Sequence, residues 1–291
     1  MQRIVPNIWF DHTAAEAAAF YADVFPDGRI VETVNYPTEG LLDFQQEFAG
    51  LPLSVTFELG GYRFVGINAG PEFPVNPSVS FMLHFAPGEV QRLDALYDAL
   101  LQGGQALMPL DTYEFSPRFG WVADKYGVTW QLMLATDDEP RPFVMPSMLF
   151  TELAANRAGE AIAYWTDVFG GTARTIARRG DQDPGGPAGS VMYGEFELLG
   201  QRFTAMDSGM THGFTFTPGV SLMVSCDGQE EIDRLWAALS AVPDAEQCGW
   251  CADRFGLSWQ LVPSNLEELM ATPGSYEKLM GMKKIEISAF G

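Results

Sequence analysis

Positive charge is scarce in this chain: 17 lysines and arginines stand against 38 aspartates and glutamates, a formal net charge of −21 over 291 residues. A surface of that sign repels a phosphate backbone and an anionic bilayer alike, so no nucleic acid and no membrane is expected as a partner. The acidic residues are dispersed, without a block of five or six like charges, which fits a solubilising surface better than an acidic interaction tail. Long hydrophobic runs are missing too, none approaching the roughly 20 residues that span a bilayer. Met1-Gln2-Arg3-Ile4-Val5-Pro6 lacks the charged and apolar regions of a signal peptide, and the expected compartment is the cytoplasm.

Cysteine and histidine are sparse. Cys226, Cys248 and Cys251 are too few and too clustered for a disulfide framework across the chain. Cys248-Gly249-Trp250-Cys251 has the C-x-x-C spacing, yet the residues after it read as a strand and turn, not as the helix N-terminus that lowers a redox thiol's pKa. A single pair also falls short of the four ligands zinc takes. His12, His84 and His212 show no paired spacing, and a lone histidine is usually a satisfied surface or core residue. No strand followed by G-x-G-x-x-G occurs, so no nucleotide-type cofactor is expected; Gly185-Gly186-Pro187-Ala188-Gly189 precedes a strand instead of opening a helix.

What the chain does have is a repeat. Glu16-Ala-Ala-Ala-Phe20-Tyr21-Ala-Asp23-Val24-Phe25 recurs as Glu160-Ala-Ile-Ala-Tyr164-Trp165-Thr-Asp167-Val168-Phe169, and Glu58-Leu-Gly-Gly61-Tyr-Arg63-Phe64 as Glu197-Leu-Leu-Gly200-Gln-Arg202-Phe203. Val79-Ser80-Phe-Met82 returns as Val220-Ser221-Leu-Met223, and Gly120-Trp121-Val-Ala-Asp124 through Gly127 to Trp130-Gln131-Leu132 returns as Gly249-Trp250-Cys-Ala-Asp253 through Gly256 to Trp259-Gln260-Leu261. Such blocks in one order mark a duplication. The reading is two domains, residues 1–137 and 143–265, with a linker at 138–142 inside the proline-bearing segment Thr136–Pro142 and a helical tail over 266–291.

Within a copy, Ile4–Phe10 is an apolar strand, Ala14–Phe25 has helical periodicity and stops at Pro26-Asp27-Gly28, and Ile30–Tyr36 is a strand. Leu53–Leu59 and Tyr62–Asn68 form a hairpin across Gly60-Gly61, because glycine tolerates the positive φ of a tight turn. The order is βαβββ. It recurs with Val79–Phe85, a helix over Glu89–Leu101, a short strand near Ala106, then Phe119–Ala123 and Val128–Leu134, so each copy reads as two βαβββ units.

Paired βαβββ units, with Phe20-Tyr21 and Val24-Phe25 after the first strand and Asp124-x-x-Gly127-x-x-Trp130-Gln131 on the last, resemble the vicinal oxygen chelate superfamily of glyoxalase I, extradiol dioxygenases and bleomycin resistance proteins. Glu195-Phe-Glu197 with Gly200-Gln-Arg-Phe203-Thr-Ala-Met-Asp207-Ser208, Gln247-Cys248-Gly249-Trp250 and Gly256-Leu-Ser-Trp259-Gln260 are similar to its PhnB-like group, whose common label is 3-demethylubiquinone-9 3-methyltransferase. The resemblance implies an α+β fold of tandem domains, each a cupped eight-stranded mixed sheet made from two βαβββ units, with helices outside and a ligand cleft inside. It also implies that Gln131 and Gln260, standing where metal-dependent relatives carry a glutamate ligand, face the cleft.

The other positions at which those relatives hold a divalent ion correspond to Pro6 or Asn7, Val65 and Ser80 in the first copy, and to Pro146 or Ser147, Thr204 and Ser221 in the second. Neither set has the imidazoles and carboxylates that would hold a metal, and none is expected. Glu195 and Asp207 are the acid–base candidates: were Asp207 to point inward beside a glutamate, the two could share a proton. The aromatic residues Trp9, Phe57, Phe64, Trp121 and Trp130, with Trp250 and Trp259 in the other half, exceed what two small cores need, and Trp121, Gln131, Trp250 and Gln260 are the candidate ligand contacts.

The function expected is metal-independent binding of a small-molecule ligand in a cleft of each domain. The alternative is a lyase or oxidoreductase of the same superfamily acting on a small oxygenated metabolite, and methyl transfer is not expected. The fused halves are expected to pair as two single-domain relatives would, giving a monomer with pseudo-dimeric halves or a homodimer. The second copy keeps more of the group's motif, so its cleft, with Glu195, Asp207, Trp250 and Gln260 together, is expected to be the active one.

Overall fold

The computed structural model describes residues 2–137, 139–183 and 185–291. Its first unit runs β1 (Ile4–Asp11), α1 (Ala14–Val24), β2 (Arg29–Asn35), β3 (Pro52–Leu59) and β4 (Tyr62–Ala69). The second runs β5 (Val79–Phe85), α2 (Val90–Leu101), β6 (Gln105–Tyr113), β7 (Ser116–Ala123) and β8 (Thr129–Leu134). The third is β9 (Val144–Phe150), α3 (Ala158–Phe169), β10 (Thr172–Arg178), β11 (Val191–Leu198) and β12 (Gln201–Asp207). The fourth is shorter, with β13 (Val220–Cys226), α4 (Gln229–Leu239), β14 (Trp250–Ala252) and β15 (Ser258–Pro263). The β3–β4 hairpin turns on Gly60 and Gly61 at φ +56° and +78°, as two adjacent glycines allow.

Three local expectations need correction. β6 is nine residues long, not short, because its hairpin with β7 continues through repeated register shifts to Tyr113. The fourth unit lacks the matching strand: Pro243 opens a 3-10 turn there, having no N–H to give a ladder. The tail holds two short helices, α5 (Leu266–Met270) and α6 (Ser275–Met280), parted at Pro273-Gly274, where Gly274 takes φ +79°. No helix among the described residues is long and apolar enough to cross a membrane.

The strands form two mixed sheets, and each sheet does combine two of the repeated units. The units come from different halves. Sheet I, seven-stranded, has the order β14-β15-β13-β1-β4-β3-β2, joining the first unit to the fourth; sheet II, eight-stranded, has the order β10-β11-β12-β9-β5-β8-β7-β6, joining the third to the second. The expectation that residues 1–137 and 143–265 would each close a sheet of their own is thereby corrected. The halves exchange units along two antiparallel seams, β1 with β13 and β5 with β9. Repeat recognition could not reveal this, since either pairing satisfies the same strand sequences.

Helices cover one face of each sheet, and that face carries the core. Between helices and sheets, Tyr21, Phe57, Phe64, Phe81, Trp130 and their counterparts are fully buried. At its centre are two buried carboxylates. Asp124 accepts hydrogen bonds from the Tyr21 hydroxyl (2.7 Å), Trp130 Nε1 (2.8 Å) and the backbone N–H groups of Tyr126 and Val128. Asp253 accepts them from Trp165 Nε1 (2.8 Å), Trp259 Nε1 (2.9 Å) and the N–H groups of Phe255 and Leu257. An amide in place of Asp253 would point an NH2 at groups that only donate. We therefore expect Asp253→Asn to destabilise the fold by about 2–4 kcal/mol, the cost of unpaired buried donors around a lost charge. Urea unfolding measures it, and a loss below about 1 kcal/mol would mean that this junction is incidental.

Candidate functional site

The face of each sheet turned away from α1–α4, here the inner face, gathers the residues at the positions where metal-binding relatives place ligands. On β8 the alternation turns Leu132 to the core and Gln131 inward. Its amide donates to Ser80 Oγ on β5 (2.7 Å) and lies 3.5 Å from Ser147 Oγ on β9, while Thr204 on β12 is the register partner of Ser147. In sheet I, Gln260 Nε2 donates to Ser221 Oγ (2.7 Å), and Asn7 Nδ2 donates to Gln260 Oε1 (3.3 Å). Asn7, not Pro6, and Ser147, not Pro146, occupy the inner positions, which the sequence left open. Each network straddles a seam: Ser80 pairs in register with Ser147, and Asn7 with Ser221.

A tryptophan lies beside each glutamine. Trp121 is the register partner of Gln131 and Trp250 of Gln260, and both indole N–H groups are buried without a hydrogen-bond partner among the described residues. The Thr204 hydroxyl in sheet II is likewise unpaired. Buried polar atoms normally find partners, so these mark directions in which a ligand atom or water fits.

Glu195 and Asp207 are separated by the pleat. Glu195 pairs with Thr204 in register and shares its inner face, whereas Asp207, three residues further along, points to the helix side. There it accepts the N–H of Ala158 (3.0 Å) and of Val191 (2.8 Å), tying down the start of α3. Asn68 does the same for α1, accepting the Ala14 N–H at 3.0 Å. The expected proton-sharing pair does not form. Glu195 is held instead by Arg202, whose Nε and Nη2 both donate to it, by Arg174 Nε at 3.3 Å and by the Tyr193 hydroxyl at 3.4 Å. Nor do Glu195, Asp207, Trp250 and Gln260 share one cleft: the first two belong to sheet II, the last two to sheet I. The exchange of units regroups Glu195 with Gln131 and Trp121.

The donor set does not suit a metal ion. Ser80, Gln131, Ser147 and Thr204 offer hydroxyls and one amide, and Asn7, Val65, Ser221 and Gln260 offer two amides, a hydroxyl and a methyl-bearing side chain. Neutral groups of this kind neither balance a divalent charge nor bring imidazole nitrogen. Among the described residues no group of three His, Cys, Asp or Glu side chains is placed to hold a metal. The C-x-x-C cysteines are free, and burial pushes the Cys251 thiol up to about 12, the reverse of a redox thiol.

His84, at the end of β5, is the one inner-face residue whose setting the sequence did not signal. It is 8% exposed, neither ring nitrogen has a partner among the described residues, and it borders a surface pocket of about 440 Å³ that also reaches Arg92, Arg141 and Phe143. Burial first, then the charges of Arg141 and Arg202, hold its pKa down at about 4; the Pro142 carbonyl, close to the ring but making no well-formed hydrogen bond to it, opposes them weakly.

Two mixed sheets, each of two units of the βαβ(β)β kind with helices on one face and a polar cluster on the other, define a tandem vicinal oxygen chelate protein. The sequence model of the 3-demethylubiquinone-9 3-methyltransferase family matches residues 2–133 and 143–262, and the chain belongs to that PhnB-like family. A PhnB protein of Bacillus cereus, described by the same methyltransferase name, is 34% identical over 46% of this chain and 100% of its own, with a TM-score of 0.40. Glyoxalase I from Zea mays is 10% identical over 91% of this chain and 95% of its own, with a TM-score of 0.56, a likeness of fold alone. No curated protein matches the chain.

His84 makes the site acid-sensitive. Its folded pKa lies below the ordinary value of 6.5, so the unfolded chain takes up the proton first as pH falls. Stability from the neutral ring is complete above about pH 6.5 and is lost as pH falls toward about 4. In His84→Gln the unfolding free energy should fall less steeply across that window; equal slopes in the two proteins would show that His84 is not responsible.

Proposed function

We propose that this protein binds a small organic molecule on the inner face of sheet II, without a metal ion. The observation that carries the reading is the pair of buried, unpaired groups, Trp121 N–H and the Thr204 hydroxyl, aimed at the face where Gln131, Ser80 and Ser147 lie. Around them the alternation sets Met82, Met133, Met145 and Met206 with Phe119. Thioethers are polarizable and adaptable, and suit a flat or irregular apolar ligand. One oxygen on that ligand would accept from the indole. Sheet I offers a similar polar cluster, but there Met223 and Val262, neighbours of Gln260 on the inner face, already pack against the chain's own C-terminal residues.

Methyl transfer is disfavoured despite the family's name. S-adenosylmethionine is usually held at a glycine-rich turn between a parallel strand and a helix, and neither mixed sheet contains that unit. The competing reading is a glyoxalase-like or dioxygenase-like enzyme for a small oxygenated metabolite, which needs a metal that the serines, threonine and amides do not suit. Elemental analysis of protein purified without chelator decides between them: a stoichiometric divalent ion would restore the enzyme reading.

For the binding reading, a thermal-shift screen of small aromatic and oxygenated compounds should yield a stabilising ligand, since binding raises stability by mass action. Gln131→Leu is then expected to weaken that ligand by about 1–3 kcal/mol and Gln260→Leu to leave it unchanged. The opposite pattern would move the site to sheet I.

A further inference from the structure

The tail does more than finish the chain. Beyond β15, Leu266, Leu269, Met270, Leu279 and Met282 pack with Ile285 and Phe290 onto Met223 and Val262. Those two residues flank Gln260 on the inner face, while α4 packs on the opposite face. At the turn leading into β14, on the side where sheet II has β6, the tail takes up two backbone donors. The Cys248 N–H donates to the Met282 carbonyl (2.8 Å) and the Gly249 N–H to the Lys283 carbonyl (2.7 Å). Gly249, at φ +86°, turns its N–H outward while its carbonyl accepts from Leu261 of β15, and a Cβ there would lie 3.0 Å from Ile285. Tyr276 of α6 lies between the two edges of the sheet, near Gln45 and Tyr36 on the β2–β3 connection and near Cys248 beside β14. The tail thus bridges both edges of sheet I and roofs its inner face.

We infer that residues 265–291 are a built-in occupant of a second ligand site, the inner face of sheet I around Trp250, Gln260 and Asn7, and that their release opens it. Three features separate this segment from an ordinary terminal extension. Most of its apolar residues form a cluster of their own, with Ile287 packed on the continuous core that unites both sheets. Beneath it the Trp250 indole N–H remains without a partner, as Trp121 does in sheet II, so the tail fills the space without meeting that donor. Its side-chain attachments from Lys283 to Glu246, Lys284 to Asp233 and Gln247 to the Met280 carbonyl lie at the rim, where water can replace them, so that release has to break the Cys248 and Gly249 N–H bonds and the Gln229 side chain's bonds to the Ile285 carbonyl and Ile287 N–H. A ligand for the opened face would be apolar, with one acceptor for the Trp250 N–H. That this face binds rests on the function proposed for sheet II; that the tail can leave it does not.

Cys248 reports the release. It is 8% exposed, with Met280 Sδ 3.8 Å from its sulfur, while Cys226 and Cys251 are 0% exposed in the core. In the native protein, 5,5′-dithiobis(2-nitrobenzoate) should label Cys248 faster than the other two thiols, because tail opening requires no global unfolding. Ile285→Ala removes a fully buried tail contact and should speed Cys248 labelling on the order of tenfold or more, with Cys226 and Cys251 unchanged. The same variant should bind one more 8-anilinonaphthalene-1-sulfonate per chain. Should Cys248 react only as fast as Cys226 in both proteins, the tail is fixed core and the inference fails. Faster labelling with no added dye would keep the opening and overturn the second site. Loss of dye from both faces would instead count against the function proposed for sheet II. Should Ile285→Ala not fold, amide exchange in the unaltered protein replaces it: faster exchange at Cys248 and Gly249 than at β13 supports the opening, and matching rates overturn it.

Discussion

A carboxylate buried among donors is costly to place and hard to replace, and here two of them set the relation between the sheets. Burial pushes the Asp124 and Asp253 carboxyls up in pKa, and the indole, hydroxyl and backbone donors around them pull the other way. Each joins elements of different sheets. Asp124 and Trp130 belong to sheet II while Tyr21 rides on the helix of sheet I; Trp165 rides on the helix of sheet II while Asp253 and Trp259 belong to sheet I. Within one copy, then, the units are locked back to back through their helices. Apolar packing alone would tolerate a slide of one helix across the other; a hydrogen-bonded carboxylate fixes one register.

That lock has a consequence at the other face. With the two units of a copy committed back to back, neither can fold its inner face against its partner, and each leaves a strand edge unpaired, β1 in one unit and β5 in the other. The second copy presents β13 and β9 to those edges, and the seams close in antiparallel register. Covalent linkage supplies the second copy to those edges at high effective concentration. The polar clusters follow from the seams. Ser80 can meet Ser147 and Gln131, and Asn7 can meet Gln260, only because units from different halves stand edge to edge.

The sequence was legible wherever a local rule decided. Alternation set Gln131 and Gln260 on the face opposite their neighbouring tryptophans and the family resemblance named that face as the inner one, paired glycines marked the β3–β4 turn, and the duplicated Asp–Gly–Trp pattern placed β8 and β15. It was illegible where two global arrangements satisfy the same local rules. Which unit shares a sheet with which is not written in strand periodicity, and grouping Glu195 with Gln260 by their common half followed from that. Asp207 failed for a different reason: its side chain is short, stands one position off the inner face and lies at the end of a strand, where the start of α3 and the start of β11 each offer one N–H group. The asparagine at the equivalent position, Asn68, serves α1 equally well, and the Asp–Asn exchange between copies signals a capping role that tolerates either residue.

Duplication also lets the two inner faces diverge. In sheet II the face is edged by the long β6–β7 hairpin and lined by methionines, and the charge of Glu195 is matched by Arg202 and Arg174 at its border. In sheet I the fourth unit has lost the strand equivalent to β6, and the vacated edge is taken by the tail through Cys248 and Gly249. Losing a strand exposes a row of backbone donors beside an apolar face, a combination that calls for cover. The tail covers both at once, with Met282 and Lys283 carbonyls on the edge and Leu279, Ile285 and Phe290 on the face. The missing strand and the covered inner face thus occur together, and the two faces built from the same repeat differ where the 3-10 turn Pro243–Ala245 stands in place of a strand.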